Sequence, residues 1–280
     1  MKLAQIIKET NEQEAAIQTL CFLMGSDRTT LFLCNEIPDD IADEAIKIIN
    51  KYKKGVPLAY LIGSCYFYNR KFFINKHVLV PRPDTEILVE RAEKKIIHDT
   101  VRSKERLTYR ILDLCCGSGC IGISLALLCE WLADKNKNDN FQVVLADISG
   151  DALMVAAVNA KWQGVNVDFV CTDLFSNING KFDLIVCNPP YLKTSEIGAA
   201  DKYTLKEPKI ALDGGLDGLY FYRRIMADID NVLQPWGTIM FEIGESQAEA
   251  VTDIALDYGF EEIRVYKDLA KRDRVVTITT

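Results

Sequence analysis

The chain lacks a stretch of eighteen consecutive apolar residues, so the sequence predicts no membrane span. It also lacks an apolar leader: Met1-Lys2-Leu3-Ala4-Gln5 runs into charged residues, and no secretory signal is expected. Only two histidines occur, His77 and His98, which leaves a Ser-His-Asp or Cys-His hydrolase short of candidate bases. An excess of positive charge is missing too. With 33 Lys and Arg against 40 Asp and Glu, the net charge of −7 argues against non-specific binding of long nucleic acid, which rests on cations at phosphates. The nine cysteines are odd in number and scattered through apolar stretches, which suits a reducing, cytoplasmic setting better than a disulfide scaffold. Cys115, Cys116 and Cys120 cluster, but without zinc-ribbon spacing or a neighbouring histidine, and no metal site is expected.

What is present divides into three segments. Residues 1–54 show apolar positions near helical period (Leu3, Ile6, Ile7; Ala15, Ala16, Leu20, Leu23; Ile41, Ala45, Ile48, Ile49) and no catalytic constellation, so they read as a small helical module for recognition or docking. Gly55-Val56-Pro57 closes the helical part and opens residues 55–79, which from Tyr60 to Leu79 are rich in aromatic and β-branched residues, interrupted by Asn69-Arg70-Lys71. That pattern predicts a linking β-hairpin. From residue 80 the chain turns to strand-helix alternation. Strands are expected at 110–114, 141–146, 167–171, 182–187, 237–243, 260–266 and 275–279, with helices near 87–98, 120–132, 150–163, 217–233 and 245–258. Such alternation predicts an α/β fold with a doubly wound, mostly parallel seven-stranded sheet. Only Lys267 to Arg274 separates the last two strands, too few residues for a crossover helix, so a hairpin with one antiparallel edge strand is expected. Asp134 to Asn140 reads as a solvated loop, and Trp131, Trp162 and Trp236 as core or edge packing.

Two motifs carry chemistry. Leu184-Ile185-Val186-Cys187 reads as a buried strand that ends in Asn188-Pro189-Pro190-Tyr191. Neither proline has an N–H and each holds its predecessor extended, so the turn is stiff and presents an amide side chain, free carbonyls and an aromatic ring. Those groups suit a planar NH2: two acceptors and a stacking face. The other motif is Asp113-Leu114-Cys115-Cys116-Gly117-Ser118-Gly119, a strand end and glycine turn before a helix. Gly117-x-Gly119-x-x-Gly122 satisfies a dinucleotide fingerprint, which alone is also explained by a tight turn. Asp113 together with Asn188 separates the possibilities: a pyrophosphate would meet an unwelcome charge at Asp113, whereas the ammonium group of S-adenosyl-L-methionine would be welcome. Asp147 ends the next strand, placed to accept from ribose hydroxyls. Asp113, Gly117, Asp147, Asp173 and Asn188 all follow expected strands at the edge where doubly wound sheets bind ligands.

Together with these residues, Val80-Pro81-Arg82-Pro83-Asp84-Thr85-Glu86, Glu207-Pro208, Gly214-Gly215, Glu242-Ile243-Gly244-x-x-x-Gln247 and Asp268 to Val275 make the chain similar, over nearly its whole length, to the HemK-type protein-(glutamine-N5) methyltransferases. The resemblance implies a class I, Rossmann-like methyltransferase domain at 80–280 and S-adenosyl-L-methionine as cofactor. It also implies that class 1 peptide chain release factors are the protein substrate, through the glutamine of a Gly-Gly-Gln loop, with no membrane partner and no stable nucleic-acid binding. Under it Asn188, Pro189, Pro190 and Tyr191 are the catalytic group, Tyr191 walling the pocket. Cys115, Cys116, Gly117, Ser118, Gly119, Asp113 and Asp147 would hold the cofactor, with Asp173 and Leu174 at the adenine, Arg82 and Thr85 at the methionine end, and Asn188 at the methyl. The chain departs from the family at Cys115, where a third glycine is usual and a positive φ would strain a side chain. The competing reading is an N6-adenine or related amino methyltransferase acting on DNA or RNA, because such enzymes share the Asn-Pro-Pro-Tyr tetrapeptide.

Overall fold

The computed structural model describes residues 1–102, 108–135 and 140–280. The chain starts with α1 (Leu3–Thr10), α2 (Gln13–Met24), α3 (Arg28–Leu33) and α4 (Asp39–Lys53). Their apolar stripes close on one cluster that includes Ile6, Ile17, Leu20, Leu31, Ile37 and Ile49. Gly55-Val56-Pro57 does not end the helical part: a short α5 (Leu58–Ile62) follows before the hairpin of β1 (Ser64–Phe67) and β2 (Arg70–Phe73). The turn is Tyr68-Asn69, both at positive φ, so Arg70 and Lys71 belong to the second strand rather than to the interruption.

The rest of the chain contributes α6 (Glu86–Arg102), β3 (Thr108–Leu114), α7 (Cys120–Lys135), β4 (Asn140–Asp147), α8 (Gly150–Gln163), β5 (Asp168–Cys171) and β6 (Phe182–Cys187). It continues with α9 (Thr194–Ile197), α10 (Tyr220–Asp228), β7 (Leu233–Glu242), α11 (Ala248–Asp257), β8 (Glu262–Lys267) and β9 (Asp273–Thr279). The seven strands lie in the order β5-β4-β3-β6-β7-β9-β8. Residues 136–139 of the expected solvated loop lie outside the described residues, and its remaining residues end α7 and begin β4.

The period-two alternation of the strands feeds two cores. Ile111, Leu184 and Val186 face one side and pack with α6, α7, α8 and the hairpin residues Phe67 and Phe72. Leu112, Leu114, Ile185 and Cys187 face the other, under α10 and α11. The strand order reverses between β3 and β6, and the loops after β3, β4, β5 and β6 all emerge at that end. This is where such sheets open a crevice for ligands.

Two expectations need correcting. The antiparallel strand is not at the edge: β9 inserts between β7 and β8, antiparallel to both. Its Arg274-Val275-Val276-Thr277-Ile278 run is buried throughout, whereas β8 is largely exposed, so burying β9 on both faces and leaving β8 outside removes more apolar surface from water. The tryptophans are not core residues either. Trp131, Trp162 and Trp236 are all exposed, and lysines lie over the rings of the first two, Lys135 on Trp131 and Lys71 on Trp162.

Candidate active site

β3 ends in a turn that is tied to the neighbouring strand β4. Cys116 N–H donates to Ala146 O (3.0 Å), tying the turn to β4, and Gly117 N–H donates to Asp147 Oδ2 (2.8 Å). Gly117 has φ 52° and a Cβ there would meet nothing within 4 Å, so glycine serves backbone conformation at an open wall. Cys115 has φ 61°, a left-handed conformation that costs an L side chain about 1–2 kcal/mol. The departure from glycine at this position is therefore a strained residue. Leu174, at φ 49°, is a second one.

The crevice at this end is lined by Cys115, Cys116, Gly117 and Ser118 from the turn, Asp147 after β4, and Asp173 and Leu174 after β5. Asn188 and Pro190 come from the end of β6, and Arg82 and Thr85 from the segment before α6. Ten of the residues singled out in the sequence as cofactor-binding therefore share one cavity. Asp113, Gly119, Pro189 and Tyr191 are not on its wall. Asp113 is fully buried, its Oδ2 accepting from Gly122 N–H (2.8 Å), while Oδ1 has no hydrogen-bond partner. Burial pushes its pKa up to about 7, with the Gly122 bond opposing. A Cβ on Gly119 would come within 3.0 Å of Leu145, Ile123 and Ala156, so that glycine serves helix–sheet packing.

Asp147 accepts twice from backbone, Gly117 N–H on Oδ2 and Ser149 N–H (2.9 Å) on Oδ1, and burial still raises its pKa. Asp173 is gripped by both terminal nitrogens of Arg224 at 3.0 Å, a bidentate pair between residues 51 positions apart. Arg82 donates to Glu207 Oε1 (2.5 Å), and Glu207 Oε2 accepts from Val80 N–H (3.0 Å), so Glu207 staples the segment before α6 from below. Glu207 itself is buried, which raises its pKa against the pull of Arg82.

The Asn-Pro-Pro-Tyr turn is braced on both sides. Leu192 N–H donates to Leu212 O and Gly214 N–H to Leu192 O, and a Cβ on Gly214 would lie 2.8 Å from Pro190 O. Gln247 Nε2 donates to Tyr191 O (3.0 Å) and Gly218 O (3.1 Å). These contacts explain why Gly214 and Gln247 accompany the tetrapeptide. Asn188 Nδ2 donates to Thr85 Oγ1 at 3.5 Å, and Tyr191 OH donates to Glu242 Oε1 at 3.4 Å.

The sequence reading missed Asn159, whose Oδ1 accepts from Phe73 N–H while Nδ2 donates to Phe73 O and Ser118 O. It clamps the hairpin to the glycine turn from inside α8, and only the polarity of a single residue within an apolar helix face signals it. His77 lines the cavity beside Asp151, at 3.2 Å. Among the described residues no cluster of His, Cys, Asp and Glu could hold a metal ion, and no helix is long and apolar enough to cross a membrane.

Residues 85–208 match the methyltransferase small domain. The chain is 39% identical over 285 residues to the release factor glutamine methyltransferase of Thermodesulfovibrio yellowstonii, covering 99% of this chain and 96% of that relative. To the Bacillus subtilis protein of the same name it is 36% identical over 272 residues, covering 95% and 90%. Among solved structures, the T. thermophilus 16S rRNA N2 G1207 methyltransferase, in complex with AdoMet and guanosine, aligns with a TM-score of 0.51 at 14% identity. That alignment covers 78% of this chain and 49% of that one, a likeness of fold.

Proposed function

Because the chain belongs to the release factor glutamine methyltransferase family, we propose that it methylates the side-chain N5 of the glutamine in the Gly-Gly-Gln loop of class 1 peptide chain release factors, with S-adenosyl-L-methionine as donor. The observation that carries the reading is that Asn188 and Pro190 share one cavity with the glycine turn and Asp147, so an amide held by the tetrapeptide would lie against whatever the turn holds.

The residues present fit that cofactor. Asp147 keeps lone pairs for a ribose diol beyond its two backbone bonds. Gly117 leaves open space beside the backbone, and Leu174 offers an apolar face. When bound, the sulfonium supplies an activated methyl and a neutral thioether leaving group. The protein's task is then positioning. The lone pair of an amide nitrogen is delocalised into its carbonyl, so the nitrogen attacks poorly. Acceptance of both N–H protons by Asn188 Oδ1 and the Pro189 carbonyl would aim that lone pair along the transfer line. Holding reactants this way is worth effective molarities on the order of 10⁵ M or more. A methylated, protonated amide is a strong acid and loses its proton to water, so no general base is required. Tyr191, with its hydroxyl turned to Glu242, serves as a half-buried brace of the turn.

The N-terminal helical module, residues 1–54, would receive the body of the protein substrate. Its α4 already touches the segment ahead of Glu207: Tyr52 stacks on Tyr203 (ring centroids 4.6 Å apart) and Lys202 Nζ donates to Lys53 O (3.0 Å). The test is methylation of an unmodified release factor in parallel with duplex DNA and structured RNA. Methyl incorporation into nucleic acid and none into protein would replace this reading.

A further inference from the structure

Glu242 ends β7 with its side chain buried, and the function proposed above gives it no task. A buried carboxylate is expensive unless its oxygens are hydrogen-bonded. Here Oε1 has only the long Tyr191 contact of 3.4 Å, and Oε2 has no hydrogen-bond partner. Thr85 is the neighbour that matters: its hydroxyl is near enough to favour the ionised Glu242 carboxyl, though it makes no hydrogen bond to either carboxyl oxygen in this structure, and its oxygen accepts from Asn188 Nδ2 at 3.5 Å. The other groups facing Glu242 are Arg274 on β9, Asp84 beside Thr85, and Tyr222 on α10, whose hydroxyl donates to the Glu242 main-chain oxygen (2.8 Å). The terminal nitrogens of Arg274 are held by Asp84 (3.2 Å), Asp268 (3.3 Å) and Ile243 O (3.2 Å), and its Nε makes no hydrogen bond, so Arg274 acts on Glu242 by charge alone.

The polarity of this chain of groups is determined by one end. An ionised carboxylate only accepts, so when the Thr85 hydroxyl closes onto Glu242 its single proton must turn there and its lone pairs to Asn188. The Asn188 amide must then present its NH2 to Thr85 and its oxygen to the cavity. With the amide reversed, the site would offer an NH2 to the substrate's NH2, two donors face to face. We propose that Glu242 is a positioning residue which, through the Thr85 hydroxyl, fixes the Asn188 amide so that its oxygen faces the substrate nitrogen. This rests on the function proposed above. The long contacts of 3.5 and 3.4 Å are those of an assembled but open network, of the kind that tightens when substrate loads its far end. The carboxyl pKa, pushed up to about 7 chiefly by burial, places loss of the relay just below neutrality.

The experiment compares Glu242→Gln, Thr85→Val, Thr85→Ser and the double variant Thr85→Val/Glu242→Gln in release factor methylation. Glu242→Gln and Thr85→Val should each lower kcat by roughly ten- to a hundred-fold, as loss of an orienting partner does, and Glu242→Gln, which lies off the cavity wall, should keep cofactor affinity within about twofold. Thr85→Ser, which keeps the hydroxyl, should lose less than Thr85→Val. The double variant should fall no further than the worse single one, because both break the same relay. The unsubstituted protein should show a rise of kcat near pH 7 that Glu242→Gln lacks. A second readout is independent of substrate: hydrogen exchange of the Asn188 side-chain NH2 at pH 8, which should accelerate in both single variants. Unchanged exchange, additive losses, or an unaltered pH profile in Glu242→Gln would overturn the proposal. If the unsubstituted protein methylates no release factor, the functional reading fails, and the exchange measurement still decides the relay.

Discussion

Replacing Asn159 by leucine isolates what the sequence left hidden. The side chain is fully buried and makes three hydrogen bonds, from Phe73 N–H (2.6 Å) and to Phe73 O (3.0 Å) and Ser118 O (2.9 Å). Leucine has similar volume, so little cavity opens. Ser118 O is buried and would be left without its Asn159 donor, whereas Phe73 is only half-buried and its two groups can partly recruit water. At about 1 kcal/mol for each lost bond and somewhat more for the orphaned Ser118 oxygen, the expected cost is roughly 3 kcal/mol. For a chain of this size that corresponds to a drop in Tm of about 6–12 °C. Because Ser118 lies in the glycine turn, cofactor affinity should fall as well, whereas a residue that merely fills α8 would leave it unchanged. Calorimetry and cofactor titration of the one variant read both effects. A Tm within about 2 °C of the unsubstituted protein would refute the argument that this clamp carries hairpin and turn together.

Other perturbations follow from the same geometry. Cys115→Gly removes a strained left-handed residue and Cys115→Val worsens it, so the glycine variant should be the more stable of the two by about 1–2 kcal/mol; equal Tm values would show that φ 61° costs nothing. Arg82→Ala leaves the buried Glu207 carboxyl with only the Val80 N–H; with Arg82 itself 38% exposed, the loss should be about 1–2 kcal/mol in urea unfolding, and Glu207→Gln should recover part of it. Asp113 and Glu242 both have pKa values raised to about 7 by burial. The native state therefore binds more protons than the unfolded chain from about pH 4 upward, and this stabilisation is lost as pH rises through 7. Unfolding free energy should fall between pH 5 and pH 8, and Asp113→Asn should flatten that fall; an unchanged slope would contradict the burial argument.

The strands were most legible where a buried strand is an apolar run bounded by a turn, as in Val143 to Ala146 and Leu184 to Cys187. The placement of β9 was not, since a β8–β9 hairpin forms whichever strand faces outward. The distinction was nonetheless in the residues: Glu262-Ile263-Arg264-Val265 alternates as an edge strand does, and Val275-Val276-Thr277-Ile278 does not. The candidate site was legible as a set of strand ends, and its internal wiring was not. Asp113 was read as facing a ligand, whereas it lies on the same strand face as Ile111 and turns into the packed contact with Gly122. Asp173 with Arg224, Tyr191 with Glu242, and Arg82 with Glu207 are pairs 51, 51 and 125 positions apart. Pattern at helical or strand period cannot report contacts at those separations.

The most direct test of the central claim is mass spectrometry of an unmethylated class 1 release factor after incubation with S-adenosyl-L-methionine and either this protein or its Asn188→Ala variant. The account predicts one added methyl group on the Gly-Gly-Gln glutamine with the unsubstituted protein, and essentially none with the variant at unchanged Tm. Full methylation by a folded Asn188→Ala variant, or methyl transfer to any other residue, would contradict it.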